Sequence, residues 1–223
     1  ALEERVDVRF DVSVRRHASS EVVYRHPGFR VTEVFLSSAD PQVYASNKEQ
    51  ALRRVTRMLD VGANDGYFTF GCAAAFRRLG VQGEIVAFEP QAQHMAVLRA
   101  SMAVQGALDM RLEIVHAPVG RAVGAGITTL DALSTNDRSN TLIKIDVEGA
   151  ELDVIAGAQS WMNASNVFVI EVHKEEYLGE LRRMFSARGL RLVQVNQRPL
   201  PLLGRERRDE TNWWLVSDLG ASV

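Results

Sequence analysis

A single cysteine, Cys72, in a chain of 223 residues excludes an intrachain disulfide and a thiolate metal cage. Set among Gly71, Ala73, Ala74 and Ala75, it reads as a small core residue. Charge of one sign is also missing. The formal net charge is -2, so no global basic field draws nucleic acid or an anionic membrane, and no basic stripe with interleaved aromatics marks a nucleic-acid face. No apolar run approaches the roughly 18 residues of a membrane span, and no secretory signal pattern is present. A chain opening at Ala1 rather than Met fits a leader already removed, and a cytoplasmic location is expected. Internal repeats and low-complexity tracts are lacking. At 46% hydrophobic and 24% charged residues, the composition suits one soluble domain with a full core.

A glycine is missing where a dinucleotide site would need one. Arg57-Met58-Leu59-Asp60-Val61-Gly62-Ala63-Asn64-Asp65-Gly66 runs from an apolar strand through a glycine turn into a helix expected over 64–79. A Gly-x-Gly-x-x-Gly fingerprint uses its middle glycine to let the backbone approach a pyrophosphate, and Asn64 holds that place. Asp60 and Asp65 add carboxylates there, each costing a pyrophosphate on the order of 1 kcal/mol at about 4 Å. Negative walls suit a cation instead. S-adenosylmethionine carries an ammonium and a sulfonium. Asp60 is expected to accept from the ammonium, and the helix N-terminus to meet the carboxylate. Gly62 allows the turn, and Gly66 lets the helix lie close to the strand.

Ahead of this turn, Val8, Phe10, Val12 and Val14 alternate with Arg9, Asp11, Ser13 and Arg15, the period of a half-buried strand. Residues 22–24 and 29–35 flank Arg25-His26-Pro27-Gly28, which suits a type II turn. Residues 1–38 therefore read as an N-terminal β extension that covers a sheet edge, shapes a substrate mouth or makes a homo-oligomer. Residues 39–223 read as the main domain. His17 and His26 read as surface residues. Asp40-Pro41 caps a helix expected to reach about Arg54.

Beyond the turn, a second strand over 84–90 places Glu89 at its carboxyl end, about 20 residues past the glycines, where two acceptor oxygens match a ribose diol. A helix over 91–104 and a strand over 111–115 complete a β-α-β-α-β half. His116-Ala117-Pro118 is where adenine should pack, beyond the carboxyl ends of the strands. Residues 119–127, with glycines at 120, 124 and 126, read as a flexible loop, and residues 128–133 as a short helical turn.

A second constellation is Lys144-Ile145-Asp146-Val147-Glu148-Gly149-Ala150-Glu151, at the end of a strand and the start of a helix expected to reach Ala158. A third is the strand over 167–173, which ends in Glu171-Val172-His173. Every second strand residue shares a face, so Lys144 pairs in orientation with Asp146, and Glu171 with His173. If the strands are adjacent and parallel, Lys144 answers Glu171 and Asp146 answers His173. Isolated charges there would be costly, so pairing is required. Asp146 and His173, with Glu148 as a third group, also admit a divalent cation.

After a helix over 174–188, stopped by Gly189 and carrying a core stripe of Leu178, Leu181 and Phe185, comes a strand over 190–196. The segment 197–210 holds Arg205, Arg207 and Arg208, and the last strand spans 211–216. If that strand returns antiparallel, Arg205 and Arg207 lie at the cofactor edge and suit an anionic substrate handle.

Together, Leu59-Asp60-Val61-Gly62-Ala63-Asn64-Asp65-Gly66, Phe88-Glu89-Pro90, Thr129-Leu130-Asp131, Lys144-Ile145-Asp146-Val147-Glu148-Gly149-Ala150-Glu151 and Glu171-Val172-His173 resemble the FkbM family of S-adenosylmethionine-dependent methyltransferases. The resemblance is close over 57–173 and looser to Trp214, and the Lys144–Glu151 stretch is its most specific part. It implies a Rossmann-like class I fold, α/β, with a mainly parallel seven-stranded sheet, helices on both faces and the last strand antiparallel. It also implies O-methylation of a sugar or polyketide-like natural product, with Asp60, Gly62, Asn64, Gly66 and Glu89 around the cofactor. The 119–127 connection is shorter than the family pattern.

The expected chemistry is transfer of a sulfonium methyl to a hydroxyl, with His173 as base, oriented by Asp146. Lys144, Glu148 and Glu171 are further candidates near the acceptor. The rival readings are a metal-assisted O-methyltransferase of the same fold, a non-catalytic S-adenosylmethionine-binding partner module, and a nucleotide-dependent oxidoreductase, against which Asn64 speaks.

Overall fold

A computed structural model describes residues 14–16, 22–24, 55–104, 110–195 and 213–218. The strand pattern before Val14, the 29–35 arm, the helix expected over 40–54, and Arg205, Arg207 and Arg208 lie outside the described residues. Within the N-terminal stretch, β1 (Val14–Arg16) pairs antiparallel with β2 (Val22–Tyr24).

Short apolar runs form β3 (Arg57–Val61), β4 (Glu84–Phe88), β5 (Arg111–Val115), β6 (Thr141–Ile145), β7 (Val167–Val172), β8 (Arg191–Val195) and β9 (Trp213–Asp218). They join one sheet in the order β5-β4-β3-β6-β7-β9-β8. β9 lies antiparallel to both β7 and β8, and every other pairing is parallel. The order reverses direction between β3 and β6, so their carboxyl ends flank the crevice where such sheets take ligands.

Helices cover both faces: α1 (Tyr67–Leu79), α2 (Ala92–Val104), α3 (Glu151–Ala156) and α4 (Glu175–Ser186). Alternate strand residues divide between them. Met58, Ile85, Leu142 and Val169 pack with Cys72, Ala73 and Phe76 of α1, and Ala87 packs with Met95 and Leu98 of α2. Leu59, Val86, Ile143 and Phe168 pack with Val154 and Ile155 of α3 and Leu181 and Phe185 of α4. Each large apolar side chain so buried contributes about 1.5–3 kcal/mol. The stripe on α4 is core, as expected, with Phe185 edge-on to Phe168 at 5.0 Å. Cys72 is buried inside this core, which with the charge of Asp60 pushes its thiol far above the usual range and leaves it inert.

Helix ends depart from expectation by a residue or two at Ala156 and at both ends of α4, and by three at the start of α1. α1 begins at Tyr67 and not at 64, because Asn64 (φ 49) and Gly66 (φ 90) are both left-handed and cannot continue a helix. Its far end stops at Gly80, as expected, with Gly80 N–H to Arg77 O and Val81 N–H to Phe76 O closing the last turn. Residues 119–127, expected as a flexible loop, fold back on themselves. Gly120 N–H donates to Thr128 O (2.8 Å) and Thr128 N–H to Pro118 O (2.9 Å). Among the described residues no helix is long and apolar enough to cross a membrane.

Candidate active site

The glycine turn leaves the carboxyl end of β3 under tight steric control. Gly62 (φ 80) passes so close to β6 that a Cβ would collide with the Asp146 carbonyl oxygen, and at Gly66 a Cβ would strike the Phe70 ring and Leu98. The turn is tied to β4 by Gly62 N–H and Ala63 N–H, both donating to Phe88 O at 3.0 Å. Glu89, only 4% exposed, closes it from the other side. One carboxylate oxygen accepts from Asn64 N–H (2.9 Å), the other from Gln91 N–H (2.8 Å). Each oxygen retains a lone pair beyond this turn-bracing role. Ala117 lies next door, since Glu89 N–H and Ala117 N–H share Val115 O. Asp65, in the turn, meets His94 of α2 at 2.7 Å.

Asp60 was expected to face a ligand's ammonium, and the structure places it elsewhere. It is 0% exposed beneath α1, accepting from Thr69 Oγ1 (2.6 Å) and lying 3.3 Å from Lys144 Nζ. The expected pairing of Lys144 with Glu171 is corrected by the register. Lys144 stands opposite Asp60 on β3 and opposite Val169 on β7, which carries Glu171 level with Asp146. Its Nζ donates to Gly62 O (2.7 Å), lies 3.4 Å from Asp146 and sits 5.1 Å from the Phe68 ring centroid. Burial by itself would lower the Lys144 pKa, but the Asp60 and Asp146 carboxylates outweigh it and hold the ammonium above its usual range. Lys144 thereby fastens the Gly62 turn to β6, just before Asp146.

At the same edge, just past β7, His173 is brought to the acids expected around it. Nε2 is 3.7 Å from Asp146 Oδ1 and 3.6 Å from Glu148, whose side chain is 86% exposed. Ligand atoms of Asp146, Glu171 and His173 all lie within 4.8 Å of one another, so Glu171 rather than Glu148 completes the close group. The orienting contact expected from Asp146 comes instead from Glu151, the first residue of α3, whose Oε1 is 2.7 Å from His173 Nδ1. Burial would lower the His173 pKa. The Glu151 hydrogen bond and the charges of Glu148, Glu151 and Glu171 overcome this and raise it.

Residues 125–192 match the family described as the methyltransferase FkbM domain. The resemblance to FkbM methyltransferases stands. The matched stretch takes in Lys144, Asp146, Glu148, Glu151, Glu171 and His173 and starts beyond the glycine turn. No curated protein matches the chain. Among solved structures, the methyltransferase FkbM from Methylobacillus flagellatus KT aligns with a TM-score of 0.59 at 17% identity, covering 83% of this chain and 50% of that one. A precorrin-6y C5,15-methyltransferase from Geobacter metallireducens GS-15 aligns at 0.49 and 16% identity, covering 81% and 94%. The chain thus spans half the length of the FkbM structure and shares its Rossmann-like class I methyltransferase fold.

Two parts of the FkbM resemblance have plain structural uses. Thr129 caps a short 3-10 turn, Leu130–Ala132, through its Oγ1. Asp131 in that turn accepts from Gln159 N–H, Ser160 N–H and the Ser160 hydroxyl. The residue missed as a site member is Glu151. It lies within the FkbM-like stretch, but an acid opening a helix reads first as a partner of the helix dipole.

Proposed function

We propose that the protein is an S-adenosylmethionine-dependent O-methyltransferase that takes the hydroxyl of a sugar or polyketide-like natural product as acceptor. The observation that carries this reading is the juxtaposition of two sites on one sheet edge: the Gly62–Gly66 turn, and the Asp146–His173 pair pressed against it through the Gly62–Asp146 backbone contact.

The fit to the cofactor rests on the donor set. Glu89 presents two carboxylate oxygens for a diol, and Asp65 and Asp146 add negative charge suited to a cationic ligand. Asn64, left-handed and exposed, stands where a dinucleotide site needs glycine. Asn64, Gly66, Glu89, Ala117 and Asp146 would hold the cofactor, with Asp60 and Gly62 shaping the turn from beneath. S-adenosylmethionine, when bound, supplies an electrophilic sulfonium methyl. The protein must do the rest: position a hydroxyl, which is a poor nucleophile at neutral pH, and remove its proton as the new C–O bond forms. His173 Nε2 is the acceptor of that proton.

The test is transfer of labelled methyl from S-adenosylmethionine to extracts of candidate acceptors, with the product identified by mass, alongside calorimetry with S-adenosylmethionine and NAD in parallel. Binding without transfer to any acceptor would support a partner module, and binding of NAD alone would sink the reading. Replacement of Glu89 by Gln is expected to weaken S-adenosylhomocysteine binding about tenfold, the loss of one charge-assisted hydrogen bond.

The close approach of Asp146, Glu171 and His173 favours one second reading, a cation-assisted transfer. With His173 as proton acceptor, activity is expected to survive dialysis against EDTA. Loss of turnover restored by Mg2+ would assign the group to a cation instead.

A further inference from the structure

Glu151 is a fully buried carboxylate at the start of α3. Its side chain reaches two places. Oε1 accepts from Gly149 N–H at 2.9 Å, holding the left-handed turn at Gly149 (φ 96), and the same oxygen lies 2.7 Å from His173 Nδ1. Among the described residues Oε2 is buried with no hydrogen-bond partner, and an unsatisfied buried carboxylate oxygen is destabilising. A carboxylate only accepts hydrogen bonds, so the ring nitrogen facing it must carry the proton. That leaves Nε2 with its lone pair turned toward Asp146 and Glu148 at the sheet edge.

Building on the reading of His173 as the proton acceptor, we propose that Glu151 is a positioning residue for the methyl transfer. It holds His173 in the Nδ1–H tautomer, aims Nε2 at the acceptor hydroxyl and balances the positive charge that His173 gains when it takes the proton. The proton moves from the acceptor oxygen to Nε2, while Nδ1 keeps its own proton and Glu151 stays a carboxylate throughout. Asp146, at 3.7 Å from Nε2 and 3.4 Å from Lys144 Nζ, stands farther from the ring than Glu151 does. The other charged groups about the ring are Glu148, whose carboxylate lies 3.6 Å from Nε2, Glu171 and, one residue on, Lys174.

The distinguishing variant is Glu151→Gln, which keeps the shape and an acceptor oxygen for Gly149 N–H but removes the charge and offers His173 a donor as well. Two readouts separate positioning from mere packing. In the first, nitrogen NMR of neutral His173, assigned by its absence in His173→Ala, should show the Nδ1–H form in the wild type and a shift toward Nε2–H in Glu151→Gln. In the second, kcat should fall about 10- to 100-fold with S-adenosylhomocysteine affinity unchanged. Glu151→Asp, with the charge restored on a shorter stem, should recover part of kcat.

An Nε2–H ring in the wild type, or a kcat that falls only in step with melting temperature and cofactor affinity, would overturn the proposal. The NMR readout needs no acceptor, so it stands even if no methyl transfer is found, and in that case the failure belongs to the functional reading alone.

Discussion

Replacing His173 by alanine is expected to slow methyl transfer by about 10²- to 10⁴-fold, the contribution of a positioned general base, with the affinity for S-adenosylhomocysteine unchanged. The separation follows from the geometry. His173 touches Glu151 and lies near Asp146 and Glu148, whereas the turn expected to hold the cofactor is braced by Glu89 and Phe88 on the other side of β3. The pH profile carries the same signature. A base works only when unprotonated, and the acids around His173 raise its pKa above the ordinary 6.5. The rate should therefore climb with pH across a window lying above 6.5, falling about tenfold per unit below it, and that limb should vanish in the alanine variant. Turnover equal to wild type would remove His173 from the mechanism.

Replacing Lys144 by methionine is expected to cost about 3–5 kcal/mol, the usual loss when one partner of a buried ion pair is deleted. Thermal unfolding would register this as roughly 2–4 °C for each kcal/mol. Asp60 is the reason. With no exposure and, among the described residues, only the Thr69 hydroxyl left as a hydrogen-bond partner, its charge would sit uncompensated between α1 and the sheet. Adding Asp60→Asn should recover part of the loss, since the fully buried charge is then gone while the partly exposed Asp146 still lacks its cation. A single variant that melts with the wild type would show that the pair is not holding the turn. The alkaline side gives a further sign. The Lys144 pKa is raised by Asp60 and Asp146, so its share of stability is intact below the ordinary lysine value of 10.5 and is lost as pH rises through the raised one. The methionine variant should lack that alkaline decline.

Strands and their ends were legible because local rules governed them. Apolar runs of five or six residues, stopped by Asp60-Val61-Gly62, Glu89-Pro90 or His173, leave little choice of period or boundary, and the left-handed stop at Gly80 was equally local. Asn64 misled because a residue with a Cβ was taken to start a helix, when the turn holds it at φ 49 with its N–H committed to Glu89. The partner of Lys144 depended on register. Shifting β7 by two residues exchanges Val169 for Glu171 opposite it, and nothing in either strand alone records that shift. Glu151 failed to stand out for a similar reason: its meeting with His173 joins the start of α3 to the end of β7, and no local pattern marks a contact across 22 positions. Asp146 and His173 were brought together as their shared strand parity predicted.

The backbone contact between Gly62 and Asp146 has one further consequence. Because the turn has no room for a Cβ against that carbonyl, and Lys144 pins the Gly62 oxygen from below, the spacing between the Gly62 turn and Asp146 is set by main chain rather than by side chains that substitution could lengthen or shorten. On the proposed function, an acceptor would have to present its hydroxyl at a height the sheet has already chosen. Attempts to widen the acceptor range have the surrounding loops to work with, while this seam behaves as a fixed gauge.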